Sequence, residues 1–176
     1  LIQRFEDNQT QYRTPAYNET ETRREFIDPL FRVLEWDVDN TQGFSEKYKE
    51  VVHEARVRVG GRAKAPDYAF RIGGRSVFFV EAKKPAVTLK DAAEAAYQVR
   101  RYAWSAKLPV SILTNFAEFA VYDCRSKPTH NDAAGLGRIM YFPYTEYPNR
   151  WEEIKAHFSP QAIRTGALDR YINAQE

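Results

Sequence analysis

The chain of 176 residues has a single cysteine, Cys124, so no internal disulfide can form and an intracellular, cytoplasmic setting is expected. The three histidines, His53, His130 and His157, are scattered and have no second cysteine to join, which argues against a zinc site. No apolar run approaches the ~20 residues of a membrane-spanning helix, and no leader pattern opens the chain, so no membrane is expected. A phosphate-binding G-x-x-x-x-G-K-[ST] loop is absent, which excludes an ATP-driven motor in this chain. So are an Asn/Asp-Pro-Pro-aromatic tetrapeptide and a Gly-rich cofactor loop, which argues against methyl transfer here. There is no internal repeat or low-complexity tract. The first residue is Leu1 and not Met, so a fragment or a processed chain is expected. Neither sign of charge dominates: 26 basic and 24 acidic residues leave a formal net charge of +2, which neither predicts nor excludes a nucleic-acid partner.

What is present reads as a globular domain. Hydrophobic residues make up 43% and aromatics 14%, enough for a core at this length. Residues 1–17 are polar and lack a clear period. Arg23, Phe26, Ile27, Leu30 and Leu34 recur at steps of three and four, predicting a helix over 19–35 with Asn18 as its cap and a kink at Pro29. Residues 40–44 read as a loop. The pattern predicts strands at 51–59, 68–72 and 76–82, the last two joined by a hairpin at Gly73-Gly74. Val77 to Val80 is apolar on both faces, as in a central strand.

A helix is expected over 88–106, opened by Thr88 and Asp91 as a capping box and carrying Ala92, Ala96, Val99, Ala103 and Ala106 on its apolar stripe. Pro109 should end it. Strands follow at 110–113 and 119–122, then a loop over 127–137, a strand at 139–144 and a helix at 151–158. Ser159-Pro160 looks like the cap and first position of another helix. The order predicts an α/β fold, a mixed β-sheet with helices packed on it. Residues 1–158 are expected to form the domain, and 159–176 the start of a connector to a C-terminal region.

The chemistry concentrates in Pro66-Asp67 and in Phe78-Phe79-Val80-Glu81-Ala82-Lys83. Glu81 and Lys83 are two apart on a strand and share a face, while Ala82 points away. A hairpin turning at Gly73-Gly74 brings Asp67 beside Glu81. Two close carboxylates call for a neutralising cation, and magnesium favours oxygen ligands, with the Ala82 carbonyl as a further donor. Such a metal polarises a phosphoryl oxygen and lowers the pKa of water, and Lys83 can stabilise developing charge. In a chain that is 28% charged, a surface salt bridge at a strand end would give the same spacing by chance. The hairpin, the apolar strand and the next helix tip the balance towards a site. On that helix Gln98 and Tyr102 stand at i, i+4, flanked by Arg100 and Arg101. Glu19 is a candidate third acid, in competition with Glu21, Glu25 and Glu54, and equally readable as a helix partner of Arg23.

Pro66-Asp67 with Glu81-Ala82-Lys83 resembles the PD-(D/E)XK nuclease superfamily. Gln98-Val-Arg-Arg-Tyr102 is similar to the QxxxY motif of its RecB-like branch. Tyr17-Asn18-Glu19, Arg23, residues 26–30 and 34–37, Val80 to Pro85, residues 101–104 and residues 113–116 resemble the N-terminal endonuclease domains of Type I R subunits and Type IIG restriction-modification enzymes. The resemblance spans residues 15–170. It implies a restriction-endonuclease-like mixed sheet flanked by helices. It implies a metal-dependent endodeoxyribonuclease, with magnesium (manganese substituting) at Asp67, Glu81 and the Ala82 carbonyl. Catalytic roles would fall to Lys83, Gln98, Tyr102 and Glu19. Double-stranded DNA would be the substrate, methyltransferase and target-recognition modules would lie in the same polypeptide, and double-strand cleavage would use a transient dimer. The alternatives are a repair or recombination nuclease of the same fold and a non-catalytic DNA-binding module.

Overall fold

The strand β5 (Arg75–Ala82) is apolar on both faces: Phe78, Val80 and Ala82 enter one apolar cluster and Phe79 enters the other. A strand buried on both faces belongs inside a sheet. The computed structural model, which describes residues 1–175, places β5 third in a six-stranded sheet ordered β1-β4-β5-β6-β7-β8. Its neighbours are β1 (Val51–His53), β4 (Tyr68–Ile72), β6 (Val110–Thr114), β7 (Glu118–Asp123) and β8 (Arg138–Pro143). Only β5 and β6 run parallel, and α5 (Ala93–Ser105) supplies the crossover that a parallel pair requires. The expected α/β architecture, a mixed sheet flanked by helices as in restriction-endonuclease-like folds, is the one observed.

The two faces of the sheet bury different partners. The larger core joins Phe78, Val80 and Ile112 to Phe26, Leu30 and Phe31 of the N-terminal helical segment and to Ile154 and Phe158 of α6 (Tyr147–Phe158). The smaller packs Phe79, Leu113 and Ala120 against Ala96, Val99, Tyr102 and Ala103 of α5. The anticipated alanine stripe thus lets α5 lie close to the sheet.

Asn18 caps the N-terminal helix as expected, in a reciprocal box with Glu21. The helix is not uniform: α3 (Glu19–Thr22) passes through a π-turn at Arg23–Ile27 into α4 (Asp28–Val33). Pro29 has no amide to give the Glu25 carbonyl, and Arg4 Nη2 donates to that oxygen instead. The kink expected at Pro29 is thus taken up as a widened turn just before it.

Several expectations are corrected. Residues 1–17 contain α1 (Ile2–Asp7) and α2 (Gln9–Tyr12), hidden in the sequence because so few side chains, Phe5, Tyr12 and in part Ile2, anchor them in the core. The strand expected at 51–59 is two strands: β1 ends at His53, Glu54 turns with φ of 55°, and β2 (Val57–Val59) pairs with β3 (Arg62–Lys64) in a separate hairpin. The helix expected from 88 begins at Ala93, without the Thr88 box. The amides of Leu89 and Lys90 donate to the buried Glu118 carboxylate, which holds residues 84–92 as a loop. After Ser159, whose Oγ accepts from the Ala162 amide, α7 (Pro160–Arg164) and α8 (Ala167–Asn173) fold back and bury Leu168 and Ile172 in the larger core, so the packed domain does not stop at 158. Among the described residues no helix is long and apolar enough to cross a membrane.

Candidate active site

The Gly73-Gly74 turn has φ of 59° and 81°, the left-handed pair that a two-residue hairpin requires. From it, β4 and β5 pair with Tyr68 opposite Val80 and Ala69 opposite Phe79. Continuing that register sets Asp67 opposite Glu81. The hydrogen bonds agree: the Asp67 amide donates to Glu81 Oε1 at 3.1 Å, and the Ala82 amide donates to Asp67 Oδ2 at 2.7 Å. Each carboxylate is held by the other strand's backbone. Glu81 follows Phe79 in the alternation and lies on the α5 side, Ala82 is buried in the opposite core, and Lys83 follows the end of β5 with its amide donating to the Thr114 carbonyl at 3.1 Å.

Glu81 is 5% exposed. Burial, reinforced by the facing Asp67 carboxylate, pushes its carboxyl up to about 8, although the Asp67 amide and Lys83 act in the other direction. Glu19, at the start of α3, reaches the same cluster. Burial and the Asp67 carboxylate raise its pKa, against the pull of Lys83 and Arg23. The competing acids are engaged elsewhere: Glu21 closes the helix cap and Glu25 accepts from the Tyr17 hydroxyl at 2.8 Å. Glu54 lies at the margin, its side chain 73% exposed and 3.8 Å from Arg23 Nη1.

Arg23 contributes more than the helix partnership with Glu19 that its spacing implies. Its Nη1 lies 3.7 Å from Asp67 Oδ1, its Nη2 donates to the Asp67 carbonyl at 3.1 Å, and its guanidinium stands 4.8 Å over the Tyr68 ring. Tyr68 in turn donates to Asp28 at 2.6 Å. The sequence signals for this role are its i, i+4 relation to Glu19 and its place in the resemblance. Glu118 carries no signal of its own in the sequence; besides the two loop amides it accepts from the Tyr141 hydroxyl at 2.6 Å, and so fixes the segment between Lys83 and α5.

Gln98 Nε2 donates to the Tyr102 hydroxyl at 2.9 Å, and both line a cleft of about 460 Å³ between α5 and the β2–β3 hairpin. Arg101 lines the same cleft, but Arg100 does not flank it: it is 4% exposed and paired with Asp132 at 2.9 Å. The structure therefore gathers Glu19, Asp67, Glu81 and Lys83 at one point and sets Gln98 and Tyr102 on the same side of the sheet. Among the described residues no group of three or more His, Cys, Asp or Glu forms a ready-made metal cage. A cation here would have two carboxylates as its main protein ligands and would keep several waters, as magnesium does.

Comparison with known proteins points the same way. Residues 49–130 match the family model for the Type I restriction enzyme R protein N terminus. The chain is 38% identical over 171 residues to the Type II restriction enzyme and methyltransferase RM.Eco57I of Escherichia coli. That alignment covers 96% of this chain but 17% of the relative's length. No solved structure matches. Together these likenesses support a restriction-endonuclease-like domain.

Proposed function

We propose that this chain, similar to a Type I R-protein N terminus and to a Type II restriction enzyme and methyltransferase, is a PD-(D/E)XK endonuclease domain that hydrolyses DNA phosphodiester bonds with magnesium. The observation that carries the reading is the enclosed Glu81 carboxylate set against Asp67, with Glu19 and Lys83 beside them. Without a cation, that grouping raises the proton affinity of Glu81 well above that of an ordinary carboxylate. Buried acids of like charge are costly unless something neutralises them, and the donors are all hard oxygens.

Asp67 and Glu81 would hold the metal, with the Ala82 carbonyl as a third oxygen. When bound, magnesium supplies Lewis-acid polarisation of the phosphoryl group and lowers the pKa of water. Lys83 orients the attacking water and stabilises negative charge as it develops on the phosphate. Glu19 takes up or holds the proton of that water. Arg23 and the Ala82 amide fix the Asp67 carboxylate. Gln98 and Tyr102 support the site from α5.

The relative's name joins restriction to methylation, which favours a restriction role over a repair nuclease of the same fold. On the Type IIG reading, methyltransferase and target-recognition modules lie in the same polypeptide, and this domain cuts where they place it. Crystals soaked in manganese test the site. An anomalous peak between Asp67 and Glu81, lost in Glu81→Gln, is expected. A peak elsewhere, or none at saturating manganese, would refute it.

A further inference from the structure

The β2–β3 hairpin has no place in the main sheet and no part in the metal site. Its segment 55–65 carries four basic residues and no acidic one. In its register Val57 faces Lys64 and Val59 faces Arg62, so these four side chains share one face. Val57 and Val59 pack on α5 as part of the smaller core. Arg62 and Lys64 therefore lean over α5 as well, and they wall the Gln98–Tyr102 cleft together with Arg101, against a single acid, Glu94.

The hairpin tip touches the helix closely. Gly60 has φ of 58°, and a Cβ there would come within 2.9 Å of Arg101 Nη2. Beyond that point a second cleft, of about 390 Å³, continues over the outer face of α5. It shares Gly60, Tyr97 and Arg101 with the first and extends to Trp104, Lys127 and His130. Its aromatic groups are interleaved with cations: Tyr97 lies 4.2 Å from the His130 ring and accepts from Arg101 Nη1 at 2.7 Å, and Lys127 Nζ stands 5.5 Å from the Trp104 ring.

We infer that these two clefts form one trough that seats the sugar-phosphate backbone of the DNA flanking the cut, with Arg62, Lys64, Arg101 and Lys127 binding its phosphates. This rests on the nuclease reading above and extends it to the path of the substrate. The trough opens on the face of the sheet to which Glu81 points. Its cations come from the β2–β3 hairpin (Arg62, Lys64), from α5 (Arg101) and from the loop after β7 (Lys127), distributed over two adjoining clefts, as a polyanionic strand requires and a small anion does not. Gln98 and Tyr102, which bond each other along its floor, keep the Gln98 Oε1 acceptor, a second Gln98 N–H and the Tyr102 O–H for whatever enters. Interactions of this kind position DNA without reading its sequence, which suits a domain that takes its specificity from elsewhere.

The test is binding of a short duplex to this chain, with calcium in place of magnesium, followed by fluorescence anisotropy across a salt series. For Arg62→Gln/Lys64→Gln and for Arg101→Gln we expect about tenfold weaker binding at low salt. The slope of log K against log salt should become shallower by about 0.9 for each phosphate that the variant no longer neutralises. Amide shifts in an NMR titration of the wild type should cluster on residues 57–64 and on the exposed face of α5. Unchanged affinity and slope in variants that melt like the wild type, or shifts centred on another surface, would overturn the trough. Failure of the full-length protein to cleave in magnesium would instead refute the nuclease reading, and the binding measurement would still decide the path.

Discussion

Glu81 sits where burial and the Asp67 carboxylate disfavour its charged form. Its ordinary pKa is near 4.5 and the fold pushes it up to about 8. Between those values the folded chain holds a proton that the unfolded chain releases. The stabilisation is therefore complete below the unfolded value and is lost as pH rises through the folded one. Metal-free protein should accordingly melt at lower temperature near pH 8.5 than near pH 6. Glu81→Gln should flatten that dependence and melt higher than the wild type at the alkaline end, read by circular dichroism in chelator. A wild-type melting profile that stays flat over this range would contradict the burial argument. At this scale the sequence is informative where interactions are local. Asp67 and Glu81 flank one hairpin, which brings them near each other, but a bulge between Phe70 and Arg71 that the sequence does not announce shifts the register by one residue and sets Asp67 opposite Glu81. The contact of Arg23 with Asp67 depends on a helix approaching from 44 residues away, and strand or helix periodicity does not encode that approach.

The elements that aim these residues make separate predictions. Gly74 has φ of 81°, and a Cβ there would meet the Lys47 carbonyl at 2.7 Å. Gly74→Ala should destabilise the fold by about 1–3 kcal/mol, measured by urea denaturation, because the left-handed turn and the packing both resist a side chain. Glu118 makes its bonds inside the protein, where an amide in its place would turn donor against donor. Glu118→Gln should cost about 1–3 kcal/mol and loosen residues 84–92, visible as faster amide exchange at Leu89 and Lys90. Unaltered exchange there would show that the loop is held by other means. Thr88 and Asp91 have the spacing of a cap, but α5 begins only at Ala93, and the Leu89 and Lys90 amides go to Glu118, which is remote in sequence. Likewise, the alternation of 51–59 runs through a break, because Glu54 adopts a turn conformation unusual for its residue type.

For the whole molecule, the architecture is legible because β4, β5, β6 and β7 are compact apolar runs and α5 carries a regular apolar stripe. The first seventeen residues and the β2–β3 hairpin are not, since each buries too few apolar side chains to leave a period. On the proposed nuclease reading one such centre would cut one strand, so double-strand cleavage should call for two copies. The linearisation rate of a two-strand cut should then rise faster than in proportion to enzyme concentration, and strict proportionality would argue against pairing. The central claim is best tested by magnesium-dependent cleavage of supercoiled plasmid by the full-length protein, beside Asp67→Asn and Lys83→Ala. The account predicts that the wild type cuts only with the metal, and that each variant loses at least about a hundredfold in rate while still binding DNA. Cleavage by either variant at the wild-type rate would contradict it.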